Sequence, residues 1–292
     1  MNKELANKKK PTISFEIFPP KSHQNINTIY TTIDGLASLA PDWISVTYGA
    51  GGSSRDNTEK IASDIHHKYD IPALAHLTCI NATREDMRET LDHLKESGVQ
   101  NILAMRGDVT EEYGVKDFKY ANELISFIKE EGYDFNIFAA CYPEKHVEAP
   151  SLEEDIINLK RKVDAGASAL ISQLFFDNEA FYSFREKARD AEINVPIIAG
   201  IMPITSANQL ERMIKMCGAS IPKSVENFTK VYGHNTAAMK EAGITYATNQ
   251  IIDLLANGVD GIHIYTMNQP DVARRIVENI RGVLYALKVK TK

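Results

Sequence analysis

The sequence predicts a single α/β domain, a (β/α)8 TIM barrel with extra helices, and three observations predict it. A unit made of an amphipathic helix, a glycine and a short apolar strand recurs in three clear copies. Five further apolar runs lie between helical segments, which brings the strand total to eight. Eight strand-plus-helix units in 292 residues fit one closed barrel.

Taken in order, strands are expected at 13–18 (ISFEIF), 43–48 (WISVTY), 73–79 (ALAHLTC), 135–141 (FNIFAAC) and 195–201 (VPIIAGI). Three more lie inside the repeated units HLKESGVQNILAMRG, KRKVDAGASALISQLFF and DLLANGVDGIHIYT. There Gly98, Gly166 and Gly258 stand just past a helix end, where a left-handed residue closes the helix before the next strand begins. Strands that alternate with helices require parallel pairing through right-handed crossovers, in an open doubly wound sheet or a closed barrel. Helix starts keep the same register: Thr83 with Asp86 resembles a capping box, and Ser151 precedes the acidic first turn Leu152–Glu153–Glu154. The stretch 217–240 is irregular and reads as an extra helical insertion before the last strand. No Pro/Gly/Ser-rich or charge-biased segment separates two cores, so residues 11–292 are expected to form one catalytic barrel behind a flexible tail at 1–10.

Composition excludes several classes. A net charge of -6 and a pI near 5.8, with no concentrated basic face, argue against nucleic acid as a partner. No run approaches the ~18 apolar residues of a membrane span. The segment MNKELANKKK has no apolar core or cleavage pattern, and reads as a cytoplasmic N-terminus. Cys79, Cys141 and Cys217 are far apart, with no metal-binding spacing; they suit a reducing compartment and read as buried apolar residues.

In such a barrel the site forms where the strands end. Those positions are polar here: Thr47 and Tyr48, His76 and Thr78, Arg106 and Asp108, Tyr142, Glu144 and His146, Gln173, then Tyr265 and Asn268. Any one alone could be an ordinary strand end. Six of eight ends converging on one rim point to a ligand, because buried polar groups need partners.

The first strand is the sharpest case. Alternation puts Ile13, Phe15 and Ile17 on one face, towards the helices, and Ser14, Glu16 and Phe18 on the other. Glu16 is therefore expected to point into the barrel near its top. A carboxyl there loses hydration, which favours its neutral form and suits it to donate a proton; an ion pair with a barrel Lys or Arg is the competing expectation.

Two glycine-containing stretches and one basic helix complete the pattern. YGAGGSSRD can offer backbone N–H groups to an anion but lacks the Rossmann spacing, and MRGD combines a guanidinium, a flexible backbone and a carboxylate that suit a polar heterocycle or a surface turn. NLKRKVDAGA carries Lys160, Arg161 and Lys162, a solvated face or, with Asp155, Asn158 and the CYPEKHVEA loop, a grip on a diphosphate.

With these residues assembled, the sequence resembles the methylenetetrahydrofolate reductase family, in its bacterial single-domain form, across essentially the whole chain. The matching motifs, in order, are SFEIFPPK, SVTYGAGGS, AHLTC, RGD, CYPEKHVEA, NLKRKVDAGA, SQLFFD, GIMPI and HIYTMN. The resemblance implies non-covalent FAD at the strand ends, reduced by NADH or NADPH and reoxidised by methylenetetrahydrofolate in a ping-pong cycle. The methyltetrahydrofolate formed would supply methyl groups for methionine synthesis. It implies a homo-oligomer as well.

Carried over by position, Glu16 is similar to the general acid that protonates nitrogen 10 of the folate and opens its five-membered ring, giving an iminium that accepts hydride. Asp108 resembles the carboxylate beside the flavin pyrimidine and the pterin, where it disfavours the anionic reduced flavin. The resemblance gives FAD contacts to Thr47, Tyr48, Ala50, His76, Arg106, Gly107, Asp108, Tyr120, Ala121, Tyr142, His146, Ala149, Asp155, Asn158, Arg161 and Lys162, with Arg161 and Lys162 at the diphosphate. It gives substrate contacts to Glu16, Asp108, Gln173, Tyr265 and Gln269. The competing class is a flavin-free pterin-binding barrel acting in methyl transfer, which colour would distinguish.

Two positions depart from the family pattern: Ala207 stands where some members have an aromatic, and Gln269 where many have an arginine suited to the folate's glutamate tail. A weaker or differently placed hold on the tail is predicted. A Gln269→Arg variant should lower KM for polyglutamylated more than for monoglutamylated substrate, and unchanged KM values for both would overturn the reading.

Overall fold

Eight parallel strands pair in chain order and close, with β8 returning to β1. The protein is seen in a computed structural model that describes residues 10–20, 26–48, 53–108 and 116–289. The elements run β1 Thr12–Ile17, α1 Asn27–Ala37, β2 Trp43–Val46, α2 Ser53–Tyr69, β3 Ala73–Thr78, α3 Arg84–Glu96, β4 Asn101–Met105, α4 Ala121–Glu130 and β5 Asn136–Cys141. They continue with α5 Leu152–Asp164, β6 Ala169–Ser172, α6 Asn178–Asp190, β7 Ile197–Ile201, α7 Ala207–Cys217, α8 Lys223–Tyr232, α9 Thr236–Ala256, β8 Gly261–Tyr265 and α10 Pro270–Val289.

Local chemistry sets these boundaries. Gly98, Gly166 and Gly258 have φ of 78°, 124° and 67°, the positive values expected after a helix end. Thr83 and Asp86 form the reciprocal cap of α3, and Ser151 caps α5 by accepting from Glu154 N. Strand β7 starts at Ile197 and not at Val195, because Pro196 has no N–H to give a ladder and Arg189 takes the Val195 carbonyl. Strand β2 stops at Val46, short of 48, although Thr47 N still reaches Ile17 O at 3.0 Å. The irregular stretch resolves into α8, an extra helix, and the start of α9. The tail expected at 1–10 lies outside the described residues apart from Lys10.

Three apolar clusters follow from strand alternation. The outward faces, Phe15 and Ile17 among them, pack under the helices with Leu91, Phe127 and Ile251. The inward faces supply Trp43, Leu74, Leu103, Phe138, Ala169, Ile171 and Ile198, a plug in which the Trp43 and Phe138 rings sit 6.0 Å apart. The third cluster, Leu174, Phe176, Met202, Ile204, Leu210, Val225 and Met239, joins the ends of β6 and β7 to α7, α8 and α9.

Close approach inside the barrel depends on Gly200. Its N–H donates to Ser172 Oγ, and a Cβ there would lie 2.2 Å from Ser172 O and 2.6 Å from Tyr265 Oη. By contrast, nothing lies within 4 Å of a Cβ at Gly282, in the exposed middle of α10. Gly200→Ala should therefore destabilise the barrel by about 1–3 kcal/mol through overpacking, while Gly282→Ala should stabilise it by up to ~1 kcal/mol through helix propensity. Paired denaturant midpoints check the sign of both.

Candidate active site

The register of β1 sets Glu16 beside Ser45 of β2 and Tyr265 of β8. Its side chain points into the barrel, and the residue is 7% exposed. Imidazoles face it: Glu16 Oε2 lies 3.5 Å from His76 Nε2 and 3.8 Å from His263 Nε2. Among the described residues no lysine or arginine lies within 4.0 Å of this carboxyl. Ser14 and Ser45 bond the two nitrogens of the His263 ring at 2.7 and 3.2 Å. His76 Nε2 is buried without a hydrogen bond, the kind of orphan that a bound molecule satisfies.

A second group surrounds the β5–α5 loop. Asp155, at the start of α5, accepts the His146 N–H at 2.9 Å, which folds the loop back on the helix. The Tyr142 and His146 rings meet edge to face at 4.8 Å. Lys162 turns inward, donates to Ala140 O at 2.8 Å and lies 5.6 Å from the centre of the Tyr142 ring. Burial pushes its ammonium down from the ordinary lysine value, and Asp155 opposes that shift. Burial likewise pushes the Tyr142 phenol up.

The MRGD turn forms the third wall. Arg106 makes a two-pronged pair with Glu148 at 2.6 and 2.7 Å, joining the β4 and β5 loops. Gly107 has φ of 92°, and a Cβ there would meet Ile80 Cγ2 at 2.8 Å, so its backbone is left bare. Asp108 is exposed, within electrostatic reach of Tyr142 and Cys217.

On the opposite side, Gln173 Oε1 accepts from Leu174 N, Tyr265 Oη donates to Ser172 O at 2.6 Å, and Gln269 Nε2 reaches Thr205 Oγ1 at 3.4 Å. Ala207 opens α7.

The barrel thus brings Glu16, His76 and Tyr265 together, with Thr47 and Tyr48 half-buried just beyond β2. Other expected contact residues sit farther out. Tyr120 is 48% exposed where α4 begins, with Ala121 buried behind it. Arg161 donates to Asn158 Oδ1 on the outer part of α5, and Ala149 O accepts from Lys145. Ala50 and the glycines at 51 and 52 lie outside the described residues. Sequence reasoning missed His263 and Glu148. Alternation in GIHIY, which turns Gly261, His263 and Tyr265 inward together, was the available signal for the first; none marks the second.

Burial pushes the His76 imidazole down to about 4, with Glu16 opposing the shift. The ring is then neutral when folded, whereas the unfolded chain protonates it below about 6.5. The unfolded state binds the extra proton in that window, so stability should fall as pH drops from about 6.5 to about 4. Urea unfolding at pH 7 and pH 5 should show a loss about 2 kcal/mol smaller in His76→Gln than in the wild type. Equal losses would remove His76 as the cause.

Comparison with known proteins agrees with this architecture. The sequence profile of the family described as methylenetetrahydrofolate reductase matches residues 1–281. The 5,10-methylenetetrahydrofolate reductase of Pectobacterium carotovorum subsp. carotovorum is 38% identical over 268 residues, 92% of this chain and 89% of that protein. The enzyme of the same name from Escherichia coli (strain K12) is 37% identical, over 92% of this chain and 90% of its own length. Among solved structures, an uncharacterized protein from Clostridium thermocellum that binds two copies of 5-methyl-5,6,7,8-tetrahydrofolic acid shares the fold, with a TM-score of 0.68 and 16% identity over 97% of this chain and 99% of that one. A match that runs through β1, the β5–α5 loop and β8 together leaves one assignment: the chain belongs to the methylenetetrahydrofolate reductase family.

Proposed function

We propose that the protein is a flavin-dependent oxidoreductase that reduces methylenetetrahydrofolate to methyltetrahydrofolate, with NADH or NADPH as the electron donor, in a ping-pong cycle at the mouth of the barrel. The observation that carries this reading is Glu16, a buried carboxyl at the strand ends that faces imidazoles and hydroxyls, with no lysine or arginine within 4.0 Å among the described residues. A carboxyl held at the barrel mouth, within reach of a molecule bound at the strand ends, is placed to deliver a proton to it. In this reading Glu16 protonates nitrogen 10 of the folate, and its carboxylate is reprotonated from water after the product leaves.

The rim fits a non-covalent FAD. His76 supplies a buried, unsatisfied nitrogen, and Gly107 supplies bare backbone between Arg106 and Asp108. Lys162 and Tyr142 line the inner wall of the β5–α5 side, and Arg161 with Asn158 stands farther out on the same helix, where a diphosphate would find its cations. Bound there, FAD supplies the carrier that takes electrons from the nicotinamide and passes them to the folate. In this reading Gln173, whose Oε1 accepts from Leu174 N, would give its NH2 group to a pterin acceptor, and Gln269, beside Thr205, would meet the folate.

Purified protein should show flavin absorption that bleaches under NADH or NADPH; a colourless preparation that FAD does not reconstitute would favour the flavin-free pterin-binding barrel. In Glu16→Gln, flavin reduction should survive while the folate half-reaction falls by about 10²–10⁴-fold, the usual contribution of a general acid. Equal losses in the two half-reactions would take Glu16 out of the acid role.

A further inference from the structure

Glu148 is an exposed residue of the β5–α5 loop that the acid chemistry above does not use. The loop is wound so that this one residue touches two others of the rim. Its carboxylate takes both prongs of the Arg106 guanidinium, at 2.6 and 2.7 Å, while its backbone N–H donates to His146 Nδ1 at 3.1 Å. Two further bonds hold the winding: Lys145, at φ of 78°, donates from Nζ to Ala149 O at 2.8 Å, and the Ala149 N–H donates to His146 O at 2.9 Å.

Each contact fixes one property of its partner. A backbone N–H can only donate, so His146 Nδ1 is the accepting nitrogen. Burial holds the imidazole below its ordinary value, with Glu148 opposing the shift, so near pH 7 the ring is neutral and its single proton lies on Nε2. Among the described residues no group accepts a hydrogen bond from that nitrogen. For Arg106, two parallel bonds set the plane of the guanidinium, and a third, from Nε to Gly107 O at 3.2 Å, ties it to the bare turn. The same pairing holds the Glu148 carboxyl below the usual glutamate value, so the two charges cancel. Arg161 of α5, by contrast, bonds the neutral Asn158 amide.

We infer that Glu148 is a positioning residue of the cofactor cradle: it pins Arg106 with its charge cancelled and keeps the His146 proton on Nε2, so that this wall takes an uncharged acceptor of a flavin, on its ring or its ribityl chain, and not the diphosphate. The inference rests on the reading of the rim as a flavin site. An unpaired guanidinium would draw phosphate to itself; paired with Glu148, it leaves the phosphates to Arg161. A neutral imidazole N–H suits a carbonyl or hydroxyl oxygen.

Titration of the full chain, freed of flavin, with FAD and with riboflavin tests this, because riboflavin has the ring and the ribityl chain but no phosphate. Glu148→Ala should weaken both by a similar factor, about tenfold or more, the scale of one charge-assisted hydrogen bond. Tighter FAD binding with riboflavin unchanged would mean that Glu148 competes with the diphosphate for Arg106, and would overturn the inference, as would no change in either. In an Arg106→Ala background the same substitution should add little, and additive losses would take Arg106 out of the role. The double variant Arg106→Glu/Glu148→Arg can rebuild the tie between the loops but not the place of the guanidinium. Its FAD binding should stay weak, and recovery to the wild-type value would reduce the pair to a loop tether. In ¹⁵N NMR near pH 7, His146 should show an unprotonated Nδ1 and a protonated Nε2, in Glu148→Ala as in the wild type, since the backbone N–H remains; the reversed tautomer would overturn the part assigned to His146. A wild-type chain that binds neither FAD nor riboflavin would remove the flavin reading and this inference with it, whereas the other failures leave that reading intact.

Discussion

The pairing of β1 between β8 and β2 is the constraint on which the rest of the site depends. It places Ser14 and Glu16 inside the barrel and Phe15 and Ile17 under the helices, where both are fully buried. A slip of one residue would exchange the two faces, sending two aromatic or aliphatic side chains into a polar mouth and a carboxylate into an apolar layer. The register is reinforced from the far end of the chain. Thr266 Oγ1 donates to Glu16 O, while the Asn268 amide bonds both the N–H and the carbonyl of Phe18 at 2.9 Å. Met267 and Asn268 adopt φ of 51° and 56° to make that clamp, a local strain held by the bonds it permits. The backbone of the proposed acid is thus fixed from some 250 residues away in sequence.

Holding polar groups inside a barrel is costly unless each finds a partner. The interior meets this cost unevenly. Towards the N-terminal ends of the strands, Asn136 donates to Asn101, which donates to Ala73 O, and above them the Trp43–Phe138 plug excludes water. Around Glu16, the ring of His263 is satisfied by two serines, whereas His76 Nε2 is left without a bond. An unmet group beside a met one is what a ligand site looks like before the ligand arrives. Gly200 of β7, with no side chain, leaves room for Tyr265 of β8 to set its hydroxyl on Ser172 O of β6 across it.

The walls of the mouth belong to loops that hold one another. Arg106 ties the β4 loop to Glu148 of the β5 loop, Asp155 ties that loop to α5, and Glu144 accepts the Ser220 N–H from the turn before α8. The extra helix in turn buries Val225 in the cluster over β6 and β7. A site that must take a nicotinamide and a folate in turn, as proposed, needs walls set by mutual contacts among loops, because neither ligand is present throughout the cycle.

The sequence by itself determined the periodic features: eight apolar strands, the glycines that close the preceding helices, the caps at Thr83 and Ser151, and the inward face of β1 with Glu16 on it. These are local, because alternation and helix closure depend on neighbours within a few residues. Motif order made the family legible too. Tertiary structure alone decided what surrounds Glu16, since His76 and His263 reach it from strands 60 and 247 residues away, and decided that Arg106 spends its fork on Glu148 and that Lys162 turns inward while Arg161 stays out. Contacts of that kind arise from barrel closure and loop packing, and no local period in the chain encodes them.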